Sequence, residues 1–223
     1  MTGGAVPRDY DTDLVRPTIS NHSTVGDVHD EVGPRLVDLG AERVLDLGCG
    51  RGRLLDAFPL DRWIGIDGSP SQLAHCPGEG RKALADGAGL PFADATFDAV
   101  AALYCLYHFD DPYLPIAEAH RVLRSGGWFV TCTPGLRDAP ELVTHLEPST
   151  FDAEGAEEQV AAVFGAANVT GEWWDGPFVH LEDDDAVQQY VHGHLLTAEQ
   201  LRPDATPPLT LTKRGVVVWA VKR

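Results

Sequence analysis

Segments with strand-like and helix-like spacing of hydrophobic residues alternate along the chain. Short apolar runs predict strands at about 43–47, 63–67, 82–85, 97–104 and 127–133. Helical patterns at 52–58, 70–76 and 112–124 separate most of these runs, and another precedes the first strand, over 23–39. Because the two kinds of segment alternate, we predict an α/β fold with a doubly wound parallel sheet.

The C-terminal part continues with two helices and two strands. Helices are predicted over 154–164 and 184–196, and strands over 169–179 and 215–221. Side chains alternate along a strand, so Trp173 and Trp174 should point to opposite faces, one into the core and the other able to stack on a flat substrate. The acidic run 182–185 is interpreted as a solvated helix start, since consecutive carboxylates point in different directions and suit a helix N-terminus.

The first strand leads directly into glycines at 48, 50 and 52. Without a Cβ, these residues can take positive φ and let a ligand approach the backbone. A dinucleotide-binding loop has the spacing G-x-G-x-x-G and binds a diphosphate. Here the third glycine comes one residue early, and the Asp46 carboxylate would repel a diphosphate but attract an ammonium group. The loop therefore disfavours NAD and favours a ligand with a cationic end.

Three further blocks follow in order. The second strand ends in Asp67, 19 residues after Gly48, close to the roughly 20-residue offset at which a carboxylate meets ribose hydroxyls. Asp86 and Gly87 follow the third strand, and a fourth block runs from 106 to 127. Together the four blocks, over residues 43–133, resemble the class I S-adenosylmethionine (SAM) methyltransferases, with Ser125 in place of the usual proline of the last turn.

The resemblance implies a Rossmann-like, mostly parallel sheet of seven strands with an antiparallel C-terminal edge strand, and SAM as cofactor. Asp46 and the first two glycines would hold its methionine end, Asp67 its ribose and Asp86 its adenine. The full set of expected cofactor-binding residues is Asp46, Gly48, Gly50, Asp67, Gly68, Asp86, Gly87 and Leu103.

Catalysis needs a nucleophile held in line with the methyl group, and a base only if that nucleophile starts protonated. His108 follows the fourth strand, at the sheet edge where α/β folds bind ligands, so it is the candidate base, with a packing role as the alternative. Candidate substrate-contacting residues are Tyr10, Tyr104 and Tyr107, and His22 and His29 are weaker candidates for the same cavity. Tyr10 belongs to a segment that resembles the arm folding over the cofactor in small methyltransferases.

Composition limits the partners. With 34 acidic and 17 basic residues, the chain carries a formal net charge of −17, which opposes a phosphate backbone, so we expect no nucleic-acid partner. Four cysteines without a C-x-x-C pair indicate neither disulfides nor a thiolate zinc site. His192 and His194 are two apart on a predicted helix and do not share a face, so we expect surface histidines and no metal.

We expect one domain over 1–223: an N-terminal arm and lid helix (1–40), a SAM-binding core (41–133) and a substrate-shaping part (134–223). No apolar run is long enough to suggest a membrane span, so no membrane partner and a cytoplasmic location are expected. The predicted function is SAM-dependent methyl transfer to O, N or C of a small molecule, aromatic ones included, by a monomer or homodimer. Two alternatives stay open: an RNA base methyltransferase, and a SAM-binding protein without methyl transfer.

Overall fold

The computed structural model describes residues 23–24, 26–194 and 196–223 of the chain. They form a seven-stranded mixed sheet in the order β3-β2-β1-β4-β5-β7-β6. Strands β1 to β5 are mutually parallel, and β7 runs antiparallel to both of its neighbours. The strands are β1 Val44–Leu47, β2 Trp63–Asp67, β3 Lys82–Leu84, β4 Phe97–Leu103, β5 Leu123–Pro134, β6 Val169–Leu181 and β7 Leu209–Val221.

Helices cover both faces of this sheet. They are α1 Val28–Asp38, α2 Pro70–Ala74, α3 Tyr113–Val122, α4 Ala153–Phe164 and α5 Asp184–Gly193. Three begin at an aspartate whose side chain accepts a backbone hydrogen bond from the first turn: Asp27 for α1, Asp152 for α4 and Asp183 for α5.

The central strand β4 is buried at every position and divides the core into two layers. Val100 and Ala102 pack in a cluster with α3 and α4. Ala101 and Leu103 point the other way, into a cluster that contains the buried face of α1. A third cluster joins the 139–143 segment, the hairpin ends of β6 and β7, and α5. It lies beyond the carboxyl end of β5, where the chain leaves the sheet at Pro134.

The predicted α/β class is confirmed, with seven strands and antiparallel pairing at the C-terminal side. The pattern at 52–58 forms only a 3-10 turn, Arg53–Asp56, entered from Gly52 at a φ of 79°. The helix predicted to end at 124 stops at Val122, because Leu123 already pairs with Phe97 in the sheet. The helix predicted over 184–196 ends at Gly193.

The tryptophan pair and the acidic run follow their predicted behaviour. Trp174 packs against the cluster beneath α1, whereas Trp173 is 56% exposed and donates its indole N–H to Glu157 on α4 at 3.2 Å. Asp183, within the exposed run 182–185, accepts from the Ala186 backbone N–H at 2.9 Å and so begins α5.

Candidate functional site

The glycine loop after β1 is held close to the next strand. The backbone N–H groups of Gly48 and Cys49 both donate to the Ile66 carbonyl, each at 2.9 Å. Gly48 has a φ of 71°, and a Cβ built there would lie 2.5 Å from the Cys105 Cβ. A side chain at this position would therefore be strained and would clash, so the tight turn requires glycine.

Asp67, at the end of β2, joins this loop to the one that follows. Its Oδ2 accepts from the Gly50 backbone N–H at 2.7 Å, and its Oδ1 accepts from the Ser69 N–H at 2.8 Å. The side chain is half-buried. A carboxylate has about four lone-pair positions, so two such bonds leave room for two hydroxyl donors. This geometry suits the predicted contact with a ribose, and Gly68 is exposed beside it.

Asp46 is a buried residue of β1. It is 3% exposed, and its Oδ2 accepts from the indole N–H of Trp63 at 2.9 Å. Trp63 lies so close to Gly65 that a Cβ there would be 2.3 Å from the ring. The Asp46 carboxylate thus orients the indole of Trp63 at the start of β2. Contact between Asp46 and the methionine end of SAM stays a prediction.

The loop after β3 brings Asp86 and Gly87 to the same sheet edge. Asp86 is exposed, and its Oδ1 accepts from the Ala88 N–H at 2.9 Å. A Cβ on Gly87 would lie 2.8 Å from the Phe109 ring, so an aromatic side chain lies against this loop. At the end of β4, Leu103 is buried, and its predicted cofactor contact also stays a prediction.

His108 and Tyr107 lie on the 3-10 turn Leu106–His108 just beyond β4. Both are half-buried, and their rings meet edge to face with centroids 4.4 Å apart. The turn is fixed by the Thr150 hydroxyl, which donates to the Phe109 carbonyl at 2.7 Å. The structure therefore places His108 at the predicted edge, and a role as base stays a prediction.

Tyr104 and His29 approach each other on the opposite side of β4. Tyr104 has a φ of 53°, a strained value for a tyrosine, directly after the strand. Burial, with acidic neighbours that include Asp27 and Asp138, raises the pKa of Tyr104 well above its usual value, so the phenol stays protonated. The His29 ring lies 6.3 Å from the Tyr104 ring, between centroids.

Asp138, Lys213 and Tyr190 form a polar group that the sequence did not indicate. The Lys213 ammonium contacts the Asp138 carboxylate and donates to the Tyr190 hydroxyl at 2.6 Å. Burial lowers the pKa of Lys213, but Asp138 and Tyr190 outweigh it and hold that pKa above its usual value, so the group is charged. Asp138 and Lys213 are 75 positions apart, and no motif surrounds either one.

The expected surface position is wrong for His194. Its ring is half-buried, stacks on Tyr190 at 3.9 Å, and contacts the Tyr190 carbonyl through Nδ1 at 2.9 Å. The helix ends one residue earlier, at Gly193, and the His194 ring folds back onto Tyr190 in its last turn. Burial, and secondarily the Lys213 charge, lower the pKa of His194 to about 3. His192 is exposed, as predicted.

Some expectations concern residues that the structure does not describe. Tyr10 and His22 lie outside the described residues. Within the described part of the chain, no group of three metal-ligating side chains is found, and no helix there is long and apolar enough to cross a membrane. All four cysteines are buried and free of disulfides.

Comparisons with known proteins find similarity to methyltransferases. A family model described as a methyltransferase domain matches residues 45–131. The malonyl-[acyl-carrier protein] O-methyltransferase of Hahella chejuensis is 29% identical over 201 residues, 81% of this chain and 71% of that protein. A probable S-adenosylmethionine-dependent methyltransferase of Mycolicibacterium smegmatis is 35% identical over 150 residues, 56% of this chain and 58% of that protein.

The fold also matches solved structures. The crystal structure of the cyclase SpnF superposes with a TM-score of 0.60 at 20% sequence identity, covering 99% of each chain. The chain spans only part of most curated relatives that it matches: the aligned segment covers between 30% and 58% of their length.

Proposed function

We propose that this chain, whose residues 45–131 match a methyltransferase-domain model, transfers the methyl group of SAM to an O, N or C atom of a small molecule. The Asp67 carboxylate carries the proposal, since it ties the glycine loop to the loop after β2 and still has acceptor capacity. The core 41–133 would hold the cofactor, and 134–223 would shape the acceptor cavity.

The expected roles of the site residues follow from their places at this edge. Asp67 and Gly68 would meet the ribose, Asp86 and Gly87 the adenine, and Gly48 and Gly50 the methionine end, with Asp46 acting on that end from beneath the loop. Leu103 would line the cofactor pocket. The sulfonium is already a reactive electrophile, so these residues contribute by positioning it in line with the nucleophile.

The acceptor would lie above the ends of β4 and β5. Tyr104 and Tyr107 lie there, and aromatic side chains there support an aromatic acceptor as one class. The name of the relative from Hahella chejuensis supports oxygen as one acceptor atom. His108 is one candidate base for a protonated acceptor.

Calorimetry and product analysis test this function together. We expect SAM and S-adenosylhomocysteine to bind with micromolar-range dissociation constants. NAD should not bind, because the glycine loop lacks the G-x-G-x-x-G spacing that binds a diphosphate. S-adenosylhomocysteine release is then measured with SAM and a panel of phenols, enols, carboxylic acids and amines. NAD binding without SAM binding would contradict the assignment. SAM binding without release from any acceptor would favour a SAM-binding protein that does not transfer methyl groups.

A further inference from the structure

We propose that His29 and Asp27 form a catalytic dyad in which His29 deprotonates a phenolic or enolic hydroxyl of the acceptor during methyl transfer. The inference rests on the proposed function and names the class of acceptor. Asp27 is the positioning residue, and His29 is the base.

The dyad lies at the ligand-binding edge of the sheet. Helix α1 ends at Asp38, and the chain then enters β1 at Val44, so the helix runs back along the sheet and its first turn lies near the carboxyl end of the strands. The contact between His29 and Tyr104, the first residue after β4, fixes this placement. Ligands of open α/β sheets bind outside that edge.

His29 occupies a position that packing alone would give to an apolar residue. The buried stripe of α1 consists of His29, Val32, Gly33 and Leu36. Val32 and Leu36 pack in the core, whereas His29, at 4% exposure, is the member nearest to the carboxyl edge. Burying an imidazole costs free energy unless its nitrogens form hydrogen bonds. One nitrogen of the His29 ring has such a partner.

Asp27 satisfies that nitrogen. The Nδ1 of His29 lies 2.5 Å from the Asp27 Oδ1, which also accepts from the His29 backbone N–H at 3.1 Å. Burial raises the pKa of Asp27, but the hydrogen bonds from His29 and the Arg53 charge act against it, and that pKa is lowered to about 2. An ionised carboxylate only accepts hydrogen bonds, so in the neutral His29 ring Nδ1 carries the proton and Nε2 carries the lone pair.

The charged groups around the dyad favour this tautomer. Arg53, on the turn after the glycine loop, lies 3.7 Å from the second Asp27 oxygen and binds Asp30 as well. Tyr104 faces the ring from β4 as a neutral phenol. Among the described residues, Nε2 of His29 has no hydrogen-bond partner, so it can accept a proton from a ligand.

The chemistry of the dyad selects the acceptor. A carboxylate attacks the methyl carbon without losing a proton, and a free amine can lose its proton after attack. A phenol, with a pKa of about 10, is mostly protonated at neutral pH and gains from a positioned base. Its proton passes to Nε2, an oxygen–methyl bond forms, and the sulfur–methyl bond breaks. The electron pair stays on sulfur, so the products are a methyl ether, S-adenosylhomocysteine and a protonated His29 that releases its proton to solvent.

Histidine-resolved nitrogen NMR tests the dyad without any acceptor. Spectra of the wild-type protein are compared with those of His29→Asn, which assigns the signal, and of Asp27→Asn. We expect His29 in the Nδ1–H form in the wild type and loss of that preference in Asp27→Asn, which keeps the helix cap because Asn also caps helices. A wild-type ring protonated at Nε2 would overturn the proposal.

Kinetics with the acceptor panel tests the base itself. We expect turnover with hydroxyl compounds. His29→Asn should lower kcat by roughly 10²–10⁴-fold and keep SAM affinity, and Asp27→Asn should lower kcat less. His192→Asn, on the exposed side of α5, is the matched control.

Three results would overturn the inference while leaving the proposed function in place. They are turnover confined to carboxylates or amines, a change in kcat of less than about threefold in His29→Asn, or a loss of kcat confined to His108→Asn. If no compound in the panel yields S-adenosylhomocysteine, the proposed methyl transfer to these classes of acceptor is wrong. The NMR result alone then decides whether the dyad exists.

Discussion

At the residue scale, Asp67 connects two loops through one carboxylate. Its two oxygens accept separate backbone N–H groups, one from Gly50 and one from Ser69. The offset from Gly48 predicts this position, because both residues lie at the carboxyl ends of strands joined by the single connection from β1 to β2. Whether its remaining lone pairs bind ribose hydroxyls can be measured directly.

Asp67→Ala should weaken SAM binding by about 1.5–3 kcal/mol, the loss expected when hydrogen bonds to a charged acceptor are removed. Calorimetry at fixed pH gives the affinity, and a melting curve shows whether the protein still folds. Asp61→Ala, an exposed aspartate before β2, serves as the control. An Asp67→Ala variant with unchanged affinity and a normal melting curve would remove Asp67 from the site.

At the element scale, an uncharged histidine, His194, packs against the last turn of α5. The pKa of His194 is lowered to about 3 by burial and by Lys213, against 6.5 for the ordinary side chain. Between these values the unfolded chain binds a proton that the folded protein does not. The contribution of the neutral His194 to the free energy of unfolding is therefore fully present above about pH 6.5 and is lost as the pH falls toward 3.

His194→Asn should flatten this dependence, because the amide can still donate to the Tyr190 carbonyl and does not titrate. Between pH 7 and 5 we expect the wild-type protein to lose about 1–2 kcal/mol more unfolding free energy than the variant. Urea denaturation at each pH measures the difference. His192→Asn, which alters an exposed ring on the same helix, should follow the wild type. If the unfolding free energies of His194→Asn and the wild type fall in parallel with pH, His194 does not stay uncharged in the folded protein.

At the scale of the whole molecule, net charge sets which partners can approach. Seventeen excess negative charges leave little gain from counterion release on a phosphate backbone. The basic side chains of the described residues are largely paired with carboxylates, as Arg53 is with Asp30 and Arg121 with Asp94. The field of the protein should thus repel RNA and leave small acceptors unaffected.

We therefore expect no binding or methylation of bulk tRNA or rRNA at moderate salt. Filter binding with labelled RNA, and transfer from radioactive SAM, give the two readouts, and a basic RNA-binding protein provides the positive control. Stoichiometric methyl incorporation into RNA would refute the small-molecule acceptor and favour an RNA base methyltransferase.

Local spacing predicted the parallel strands of the cofactor half and residues near their carboxyl ends, since Gly48 follows β1 directly, Asp67 ends β2 and Asp86 lies two residues after β3. It did not predict contacts made by folding distant segments together. Asp138 and Lys213 meet across 75 positions, and His194 is buried by its stacking on Tyr190. The dyad of Asp27 and His29 is local in sequence, but its orientation toward Tyr104 depends on how α1 packs against the sheet.

The hydrogen bonds that hold the glycine loop affect how the cofactor binds and leaves. Gly48 and Cys49 donate to the Ile66 carbonyl, and Gly50 donates to Asp67, so the protein's own hydrogen bonds hold the glycine loop in shape. A preorganised loop loses little conformational freedom when a ligand arrives, which keeps more of the contact energy as affinity. Cofactor exchange between turnovers should then require no refolding of this loop, and the product can leave it as readily as fresh SAM enters.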